Sequence, residues 1–305
     1  MKYIITTILF FSTTFSKAQE LKLAGIEYFN YPKSQINDAL KSNDVSFQEF
    51  GAFINIPLQL KNKKTVLING FRYASVRATT HNASLFSSNE KNLQKIAYSL
   101  NFVHKWNEKW LIIAGVSPTL ASDFKEKISS DDLIFQGNFL VSKKVSMQFT
   151  IGGGLIYTTQ LGKPRLLPAL QVQYQTDKHQ LTALLPSFLS YHYKVGKNEK
   201  LRIGFRTALN GGNFNVSAQG FPGTVSSPIN KVIYSRANLG PVINYQLTKI
   251  IQFEAFGGIS GARKYRLEDS DQADYKYDSK TSAFFNIGFA ITPQKKKVDT
   301  SPAGN

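Results

Sequence analysis

The segment from Val145 to Tyr157, VSMQFTIGGGLIY, alternates apolar side chains with small or polar ones. Apolar side chains occupy every second position up to Ile151, and the alternation resumes at Leu155 after a run of glycines. Successive side chains of a β-strand point to opposite faces, so this segment predicts a strand with one oily face and one polar face. Strands of this length and pattern are typical of transmembrane β-barrels, because each strand must cross the hydrocarbon at a tilt.

The N-terminus carries the pattern of a cleavable secretory signal. Lys2 precedes an apolar run from Ile4 to Phe11, and small residues follow at Ser16 and Ala18. The apolar run is too short to anchor the chain in a membrane. We therefore predict an exported protein with a signal peptide over residues 1–18, cleaved after Ala18 or, as second choice, after Gln19.

The composition of the chain excludes several classes of protein and site. The chain has no cysteine, which rules out disulfide scaffolds, thiolate metal sites and cysteine nucleophiles. No segment after the signal has about 18 consecutive apolar residues, so no transmembrane helix is predicted. The net charge of +17 does not indicate nucleic-acid binding in an exported chain, and lysine in the short turns suits anionic lipid headgroups. The predicted surroundings are outer-membrane lipids and lipopolysaccharide.

Short polar turns alternate with longer loops along the chain. Asn62-Lys63 and Asn107-Glu108 are typical of the short turns, whereas the segments 32–43 and 211–230 are typical of the long loops. Bacterial outer-membrane barrels have short periplasmic turns, long external loops and an even number of strands. Counting between the breaks gives about fourteen strands, within a range of about twelve to sixteen. The even count requires a break at Pro186, which cannot donate to a strand ladder.

Charged and polar residues fall on the inward face of the C-terminal strands. From Leu201 to Leu209, apolar side chains alternate with Arg202 and Arg206. An arginine on the lipid face costs about 2–4 kcal/mol at mid-membrane, which sets the register of the strand. An excess of arginine would favour anions in an open lumen, whereas Glu254 could instead pair with an arginine and close the interior. The residues predicted to line the lumen and bind a solute are Arg202, Arg206, Arg236, Gln252 and Glu254.

Aromatic residues cluster near the ends of the predicted strands. Interfacial girdles of a transmembrane barrel predict such clusters, because aromatic rings prefer the boundary between hydrocarbon and headgroups. Aromatic side chains also favour any β-strand, so the pattern has a second explanation. The predicted girdle residues are Tyr28, Phe29, Tyr31, Trp106, Trp110, Tyr191, Tyr193, Tyr245 and Tyr265.

Three features carry a family resemblance: a signal that ends in Ala18-Gln19, the alternating strands, and a spaced set of prolines and tyrosines. With these features the chain resembles a family of uncharacterised Gram-negative outer-membrane β-barrels, catalogued as a domain of unknown function. The resemblance spans residues 20–293 and implies a barrel fold in the outer membrane, with no active residues to transfer. One departure is the polar tail after Phe289, since many such barrels end on a terminal aromatic residue. The spaced residues are Pro168, Tyr174, Pro186 and Tyr191.

Ser190 and His192 share one face of a predicted strand and could support catalysis. An acyl hydrolase needs the imidazole to take the hydroxyl proton and a third group to orient the ring. The sequence shows no third partner, and the flanking apolar residues point the pair into the lumen. A polar lumen wall is therefore the favoured interpretation. The histidines lack metal-ligand spacing, so no metal or other cofactor is predicted.

An acidic segment extends from Leu267 to Thr281. Carboxylates can hold calcium, but this segment lacks the central glycine and terminal glutamate of a calcium-binding loop. The favoured interpretation is a solvated external loop, and the alternative is weak divalent-cation binding beside lipopolysaccharide.

The sequence thus predicts an all-β protein, a single antiparallel transmembrane β-barrel behind a signal peptide. The predicted parts are the signal peptide at residues 1–18, the barrel at 20–293 and a disordered periplasmic tail at 294–305. The favoured function is passive passage or binding of a small solute. One alternative is a non-conducting surface or scaffold barrel that acts through its external loops. A membrane acyl hydrolase is the least favoured alternative, and the prediction is that the protein is not an enzyme.

Overall fold

The computed structural model describes residues 21–36, 43–82, 87–196, 199–217, 228–271 and 274–293. The predicted signal peptide and C-terminal tail lie outside these residues. No helix in the described ranges is long and apolar enough to cross a membrane. The elements are β1 (Ala24–Gln35), β2 (Asn43–Gln59), β3 (Thr65–Asn82), β4 (Ser87–Lys105), β5 (Trp110–Ser122), a short 3-10 helix (Ser130–Asp132), β6 (Leu133–Lys144), β7 (Phe149–Thr158), β8 (Arg165–Gln175), β9 (His179–Leu185), β10 (Phe188–Val195), β11 (Leu201–Asn215), β12 (Ile229–Gln246), β13 (Ile251–Asp269), β14 (Asp274–Lys276) and β15 (Ser282–Ile291).

Fourteen of the strands close into one antiparallel barrel. Neighbours in sequence pair from β1 to β13, β13 pairs with β15, and β15 returns to β1. The short strand β14 is appended to β13. Closure leaves the barrel with no unpaired edge, as a membrane-spanning sheet requires. The predicted single barrel with an even strand count is confirmed, and the predicted break at Pro186 is the tight turn between β9 and β10.

The outside of the barrel carries a belt of exposed apolar side chains. On β11, Ile203 and Phe205 are 44% and 45% exposed, whereas Arg202 and Arg206 alternate with them and point inward. The same alternation recurs around the wall, for example at Leu155 on β7. A continuous apolar belt around a closed barrel with a polar interior is the surface of a membrane-spanning barrel.

Two sequence-based boundaries are wrong. Residues 145–148, predicted as the start of a strand, form a turn, because β6 continues to Lys144 and the Val145 N–H donates to the Phe149 carbonyl. Much of the predicted external loops is also strand, since β3 runs to Asn82 and β4 begins at Ser87. In these segments the strands continue beyond the apolar belt. Their outward side chains are polar there, so the sequence pattern resembles that of a loop.

Strand length divides the barrel into two walls. The short wall consists of β6–β10, whose strands have 7 to 12 residues, about enough to cross a membrane. The long wall consists of β1–β5, β11–β13 and β15, and its longest strands reach 17 to 19 residues. These long strands extend outward past the short wall, on the side opposite the N-terminal end of β1.

The outer ends of the long wall close on each other above the short wall. Asn215, at the end of β11, pairs in parallel with Ser122, at the end of β5. The Asn215 side chain donates to Asp132 Oδ1 at 2.9 Å, and the Ser217 hydroxyl donates to Asp123 Oδ2 at 3.0 Å. We call these contacts the latch. Above it, the outer ends of the long strands form a narrower ring, which we call the outer cap.

Candidate functional site in the lumen

Aromatic side chains from its own strands fill the outer cap. The rings of Phe47 and Tyr234 lie 5.6 Å apart between centroids, those of Phe214 and Tyr234 lie 6.0 Å apart, and those of Phe47 and Tyr265 lie 5.6 Å apart. All are buried, so these rings obstruct the outer end of the lumen inside the cap. We call the set the aromatic plug; its members are Tyr31, Phe47, Phe214, Tyr234, Phe256, Tyr265 and Phe284.

Three of the predicted girdle residues are wrong, because they point into the barrel. Tyr31 and Tyr265 are buried in the plug, and Phe29 lies on the same inward face of β1, stacked on Tyr31 at 6.1 Å between ring centroids. The reason is a change of face along the long strands. On β2, Phe50 is outward and exposed while Phe47 is inward and buried; on β4, Ile96 and Leu93 differ in the same way.

Arg236 lies at the base of the plug. Its guanidinium carbon is 3.7 Å from the ring centroid of Tyr31, 4.5 Å from that of Phe47 and 4.6 Å from that of Tyr234. Its Nη2 donates to Glu49, and both side chains are almost fully buried. Arg236 therefore points inward as predicted, but it belongs to a buried ion pair inside a cation–π cage.

Arg206 and Glu254 form the centre of a second, inner cluster. Arg206 Nη1 and Nη2 donate to the two carboxylate oxygens of Glu254 at 2.6 and 3.0 Å, which is a bidentate pair. Lys22 Nζ donates to the same carboxylate at 3.0 Å. Arg202 and Gln252 also point inward and are buried near this level. Glu254 thus pairs with an arginine, the alternative that the sequence left open.

The inner lumen contains water-exposed charge. Arg72 points inward on β3, between Phe53 of β2 and Ala97 of β4, yet its side chain is 57% exposed. Its Nη1 lies 3.9 Å from Glu27 Oε1, and Glu27 is itself 35% exposed. Because a charged group of this kind needs water around it, the inner lumen is wet at this level.

Sequence reasoning missed Lys22, Glu27, Glu49 and Arg72 as lumen charges. For the two glutamates, the sequence does contain a pattern that indicates an inward position. Each is a lone carboxylate among apolar and aromatic residues, in GIEYF and in FQEFG, and such a carboxylate cannot face lipid cheaply.

Ser190 and His192 lie in the wall beside the inner cluster. Ser190 Oγ is 3.5 Å from His192 Nδ1, and the Asn244 side-chain amide is 3.1 Å from His192 Nε2. When that amide turns its oxygen to the ring, its nitrogen donates to Glu254 Oε2 at 3.0 Å. Asn244 is thus the third partner that the sequence did not reveal. Since Arg206 also donates to Ser190 Oγ at 3.4 Å, the group links four neighbouring strands by hydrogen bonds.

The acidic segment from Leu267 to Thr281 is, in its described residues, not the freely solvated loop that the sequence predicted. Glu268 and Asp269 are buried. Glu268 forms ion pairs with Lys163 and Lys231, and the Tyr275 hydroxyl donates to Asp269 Oδ2 at 3.0 Å. The segment differs because β13 continues through both carboxylates. Within the described ranges, no group of three histidine or acidic residues could hold a metal ion.

The short wall lines the lumen with a different surface. Leu140, Ile156 and Ala169 point inward and form a small buried cluster, against which Leu167 and Leu184 pack. Glycines and short polar side chains lie between them on the same face. The lumen therefore has an apolar patch on the short wall and its paired charges mainly on the long wall.

Several solved structures are similar to this chain, all at low sequence identity. A FadL homologue of Pseudomonas aeruginosa aligns with 10% identity and a TM-score of 0.45 over 90% of each chain. An outer-membrane channel of Pseudomonas putida F1 aligns with 11% identity and a TM-score of 0.44 over 92% of this chain and 98% of its own. The NanC porin aligns with 10% identity and a TM-score of 0.38, over 88% and 98%.

These likenesses concern the barrel alone, and no functional inference rests on them. A search of curated proteins gave no match. The family profile described as a domain of unknown function (DUF6268) matches residues 14–292, nearly the whole span over which the sequence resemblance was found. The chain belongs to this family of barrel proteins of unknown function.

Proposed function

We propose that this protein is an outer-membrane barrel that admits small solutes, preferentially anions, to its inner lumen and passes them outward when the aromatic plug yields. The observation that carries the proposal is the exposed charge inside the barrel, above all Arg72. A barrel that served only as a scaffold would gain nothing from charges held in water inside it. The outer-membrane location is supported by the apolar belt and by the predicted signal peptide.

The charge balance of the inner lumen supports a preference for anions. Glu254 is shared between Arg206 and Lys22, so one positive charge stays uncompensated there. A narrow passage lined by one sign of charge concentrates ions of the opposite sign. The inward-facing basic residues at this level include Arg72, Lys95, Arg202 and Arg206, against Glu27 and Glu254.

The aromatic plug favours a second candidate function, a closed barrel that acts at the cell surface. Phe214 is almost fully buried in the cap and stacks on Tyr234, so we expect passage through the cap to require that its ring move. The two candidates therefore differ in whether the plug ever opens. They do not differ in fold or in location.

Conductance of the purified barrel in planar bilayers separates the two candidates. We expect a small conductance for the wild type and a severalfold larger one for Phe214→Ala, which removes a ring from the plug. Phe205→Ala is the matched control, because Phe205 lies on the same strand but faces lipid. The samples must first show the heat-modifiable mobility of a folded barrel. If neither the wild type nor Phe214→Ala then conducts, the proposal is overturned and the closed barrel is the remaining candidate.

A further inference from the structure

A buried cation without a partner lies in the outer cap. Arg263 on β13 is 3% exposed, yet none of its three guanidinium nitrogens has a hydrogen-bond partner among the described residues. Arg236 gives one nitrogen to Glu49, while its Nε and Nη1 have no hydrogen-bond partner in the same part of the chain. A buried charge that is neither paired nor hydrogen-bonded is costly, and so are buried donors without acceptors.

The two arginines line the same small cavity. Phe47, Tyr234 and Tyr265 form its aromatic side, and Ser235 and Ser279 add hydroxyl groups. The remaining lining residue, Lys264, is also basic, so none of the described residues that line the cavity carries a carboxylate. The space holds one small group, such as a water molecule or a monatomic ion, and is too small for a large organic ligand.

The charge of the cavity is positive at neutral pH. Ile259 is the last large exposed apolar side chain on β13 and Lys264 is exposed beyond it, so Arg263 lies outside the membrane-spanning part of the strand. Burial and the neighbouring Arg236 lower the pKa of Arg263 to about 10, which leaves it protonated at pH 7. Glu49 balances one of the two guanidinium groups, and the other is unbalanced.

We infer that this cavity binds one small monovalent anion of about the size of chloride, held by Arg263 and by the free nitrogens of Arg236. A water molecule could accept hydrogen bonds there but would leave the buried charge uncompensated. Tetrahedral oxyanions are larger than the available space. The bound anion bridges β12 and β13 where their register shifts, between Ser235 and Ala237, and so holds the outer cap together.

The first test locates the anion directly. Crystals of the wild-type protein grown in sodium bromide are measured at the bromine absorption edge. We expect an anomalous peak within hydrogen-bond reach of the Arg263 guanidinium, at roughly 3.3 Å. Absence of a peak there in crystals that diffract well enough to show other bromide ions would mean that the cavity holds water only, and it would overturn the inference.

The second test measures the effect of the anion on stability. Thermal unfolding is followed in chloride and in gluconate at equal ionic strength, for the wild type, Arg263→Gln and Arg165→Gln. We expect chloride to raise the Tm of the wild type by about 3 °C, since a ligand that binds only the folded state stabilises it. Arg263→Gln should lose this difference. Arg165→Gln, which removes an exposed arginine of the short wall, should keep it.

Two results in this second test would also overturn the inference. One is an equal Tm in chloride and gluconate for the wild type. The other is a chloride effect of full size in Arg263→Gln. If Arg263→Gln does not fold, the wild-type bromide peak and the wild-type chloride effect decide the matter, and neither depends on passage of a solute through the lumen.

Discussion

The short wall and the long wall of this barrel differ in the solvent that their outward faces meet. Strands of the short wall span the membrane and end, so their apolar side chains face lipid along nearly the whole strand. Strands of the long wall leave the membrane and enter water. On β2, the outward face is apolar at Ile54 and Phe50 and polar at Gln48, while the inward side chain of Phe47 is buried in the plug.

This difference shows that one strand can belong to a membrane-spanning barrel along one part of its length and to a water-exposed barrel along the next. Within the membrane, the apolar face points out and the polar face lines the lumen. Beyond the membrane, the apolar face turns in and forms a core, as in a soluble barrel. The Arg236–Glu49 pair lies where the two patterns meet, between the wet inner lumen and the aromatic plug.

The largest expected effect comes from breaking that buried pair. Glu49→Gln leaves the buried guanidinium group of Arg236 without its carboxylate, and we expect it to destabilise the barrel by about 3–5 kcal/mol. Glu90→Gln is the control, because Glu90 pairs with Arg77 at 3.2 Å on the surface of the long wall, where an ion pair contributes at most about 1 kcal/mol. Urea unfolding in lipid vesicles measures both. Equal small losses would show that the pair does not support the cap.

A second prediction tests the change of face along one strand. Ile54→Arg puts a charge into lipid, and we expect it to cost about 2–4 kcal/mol or to prevent insertion. Gln48→Arg introduces the same charge on the same face of β2, six residues closer to the outer end of the strand. This variant should insert normally with little loss of stability. Insertion is measured by heat-modifiable mobility after folding into vesicles. Failure of both variants would place Gln48 inside the membrane and contradict the division of the strand.

The sequence was sufficient for the membrane part of the fold. Alternation from Leu201 to Leu209 identified the inward arginines correctly, because lipid tolerates no other register. The outer cap was not predicted, although the sequence contains a sign of it. Along the long strands, the apolar residues move from one face of the strand to the other. On β2 the apolar residues lie at odd positions at Val45 and Phe47 and mainly at even positions from Phe50 to Leu58, with Phe53 as an exception, and on β4 they pass from Leu93 to Ile96. A change of parity inside a long strand indicates a change of solvent.

The arrangement of the candidate site was only partly predictable. Arg206 and Glu254 were both assigned to the lumen, and their pairing follows from β11, β12 and β13 being neighbours. The cage around Arg236 was not accessible, because it depends on Tyr31 and Phe47 from strands that close the barrel from the other end of the chain. Contacts that arise from closure leave no local pattern in the sequence.

A third prediction concerns the latch that joins the two ends of the long wall. Asp132→Asn weakens the contact with Asn215, and we expect the segment 123–132 to open more easily by about 1.5 kcal/mol. Asp131→Asn is the control, since Asp131 is exposed. Hydrogen exchange of the segment measures the opening. Equal protection in both variants would remove the latch as the contact that closes the cap.

The latch also has a predictable dependence on pH. Burial alone would raise the pKa of Asp132, but hydrogen bonds from Ser129, Asn215 and Ser122 outweigh burial and hold the pKa below the ordinary value of 3.8. A lowered folded-state pKa means that the stabilisation is present above pH 3.8 and is lost as the pH falls through the folded-state value. Protection of the segment should therefore be constant from neutral pH to about pH 5 and fall only in stronger acid, and Asp132→Asn should abolish that fall.

The smallest expected effect compares two arginines of the long wall that the sequence treated alike. Arg206 lies in the wet inner lumen on β11, where it pairs with Gly240 of β12. Arg236 lies four residues, or about 13 Å, further out along β12, inside the aromatic cage. A unit charge about 6 Å from an ion in water changes its energy by about 0.7 kcal/mol, which is about threefold in permeability.

Arg206→Gln should therefore lower the chloride-to-potassium permeability ratio by about threefold, because it leaves Glu254 with only Lys22. Glu254→Gln should raise the ratio, since the same cluster then loses its carboxylate. Arg236→Gln should leave the ratio unchanged, because at about 0.1 M salt its charge is more than one Debye length, about 10 Å, from that position. Reversal potentials in a chloride gradient measure all three. A change in Arg236→Gln as large as that in Arg206→Gln would mean that ions reach the cage and that the plug is part of the open path.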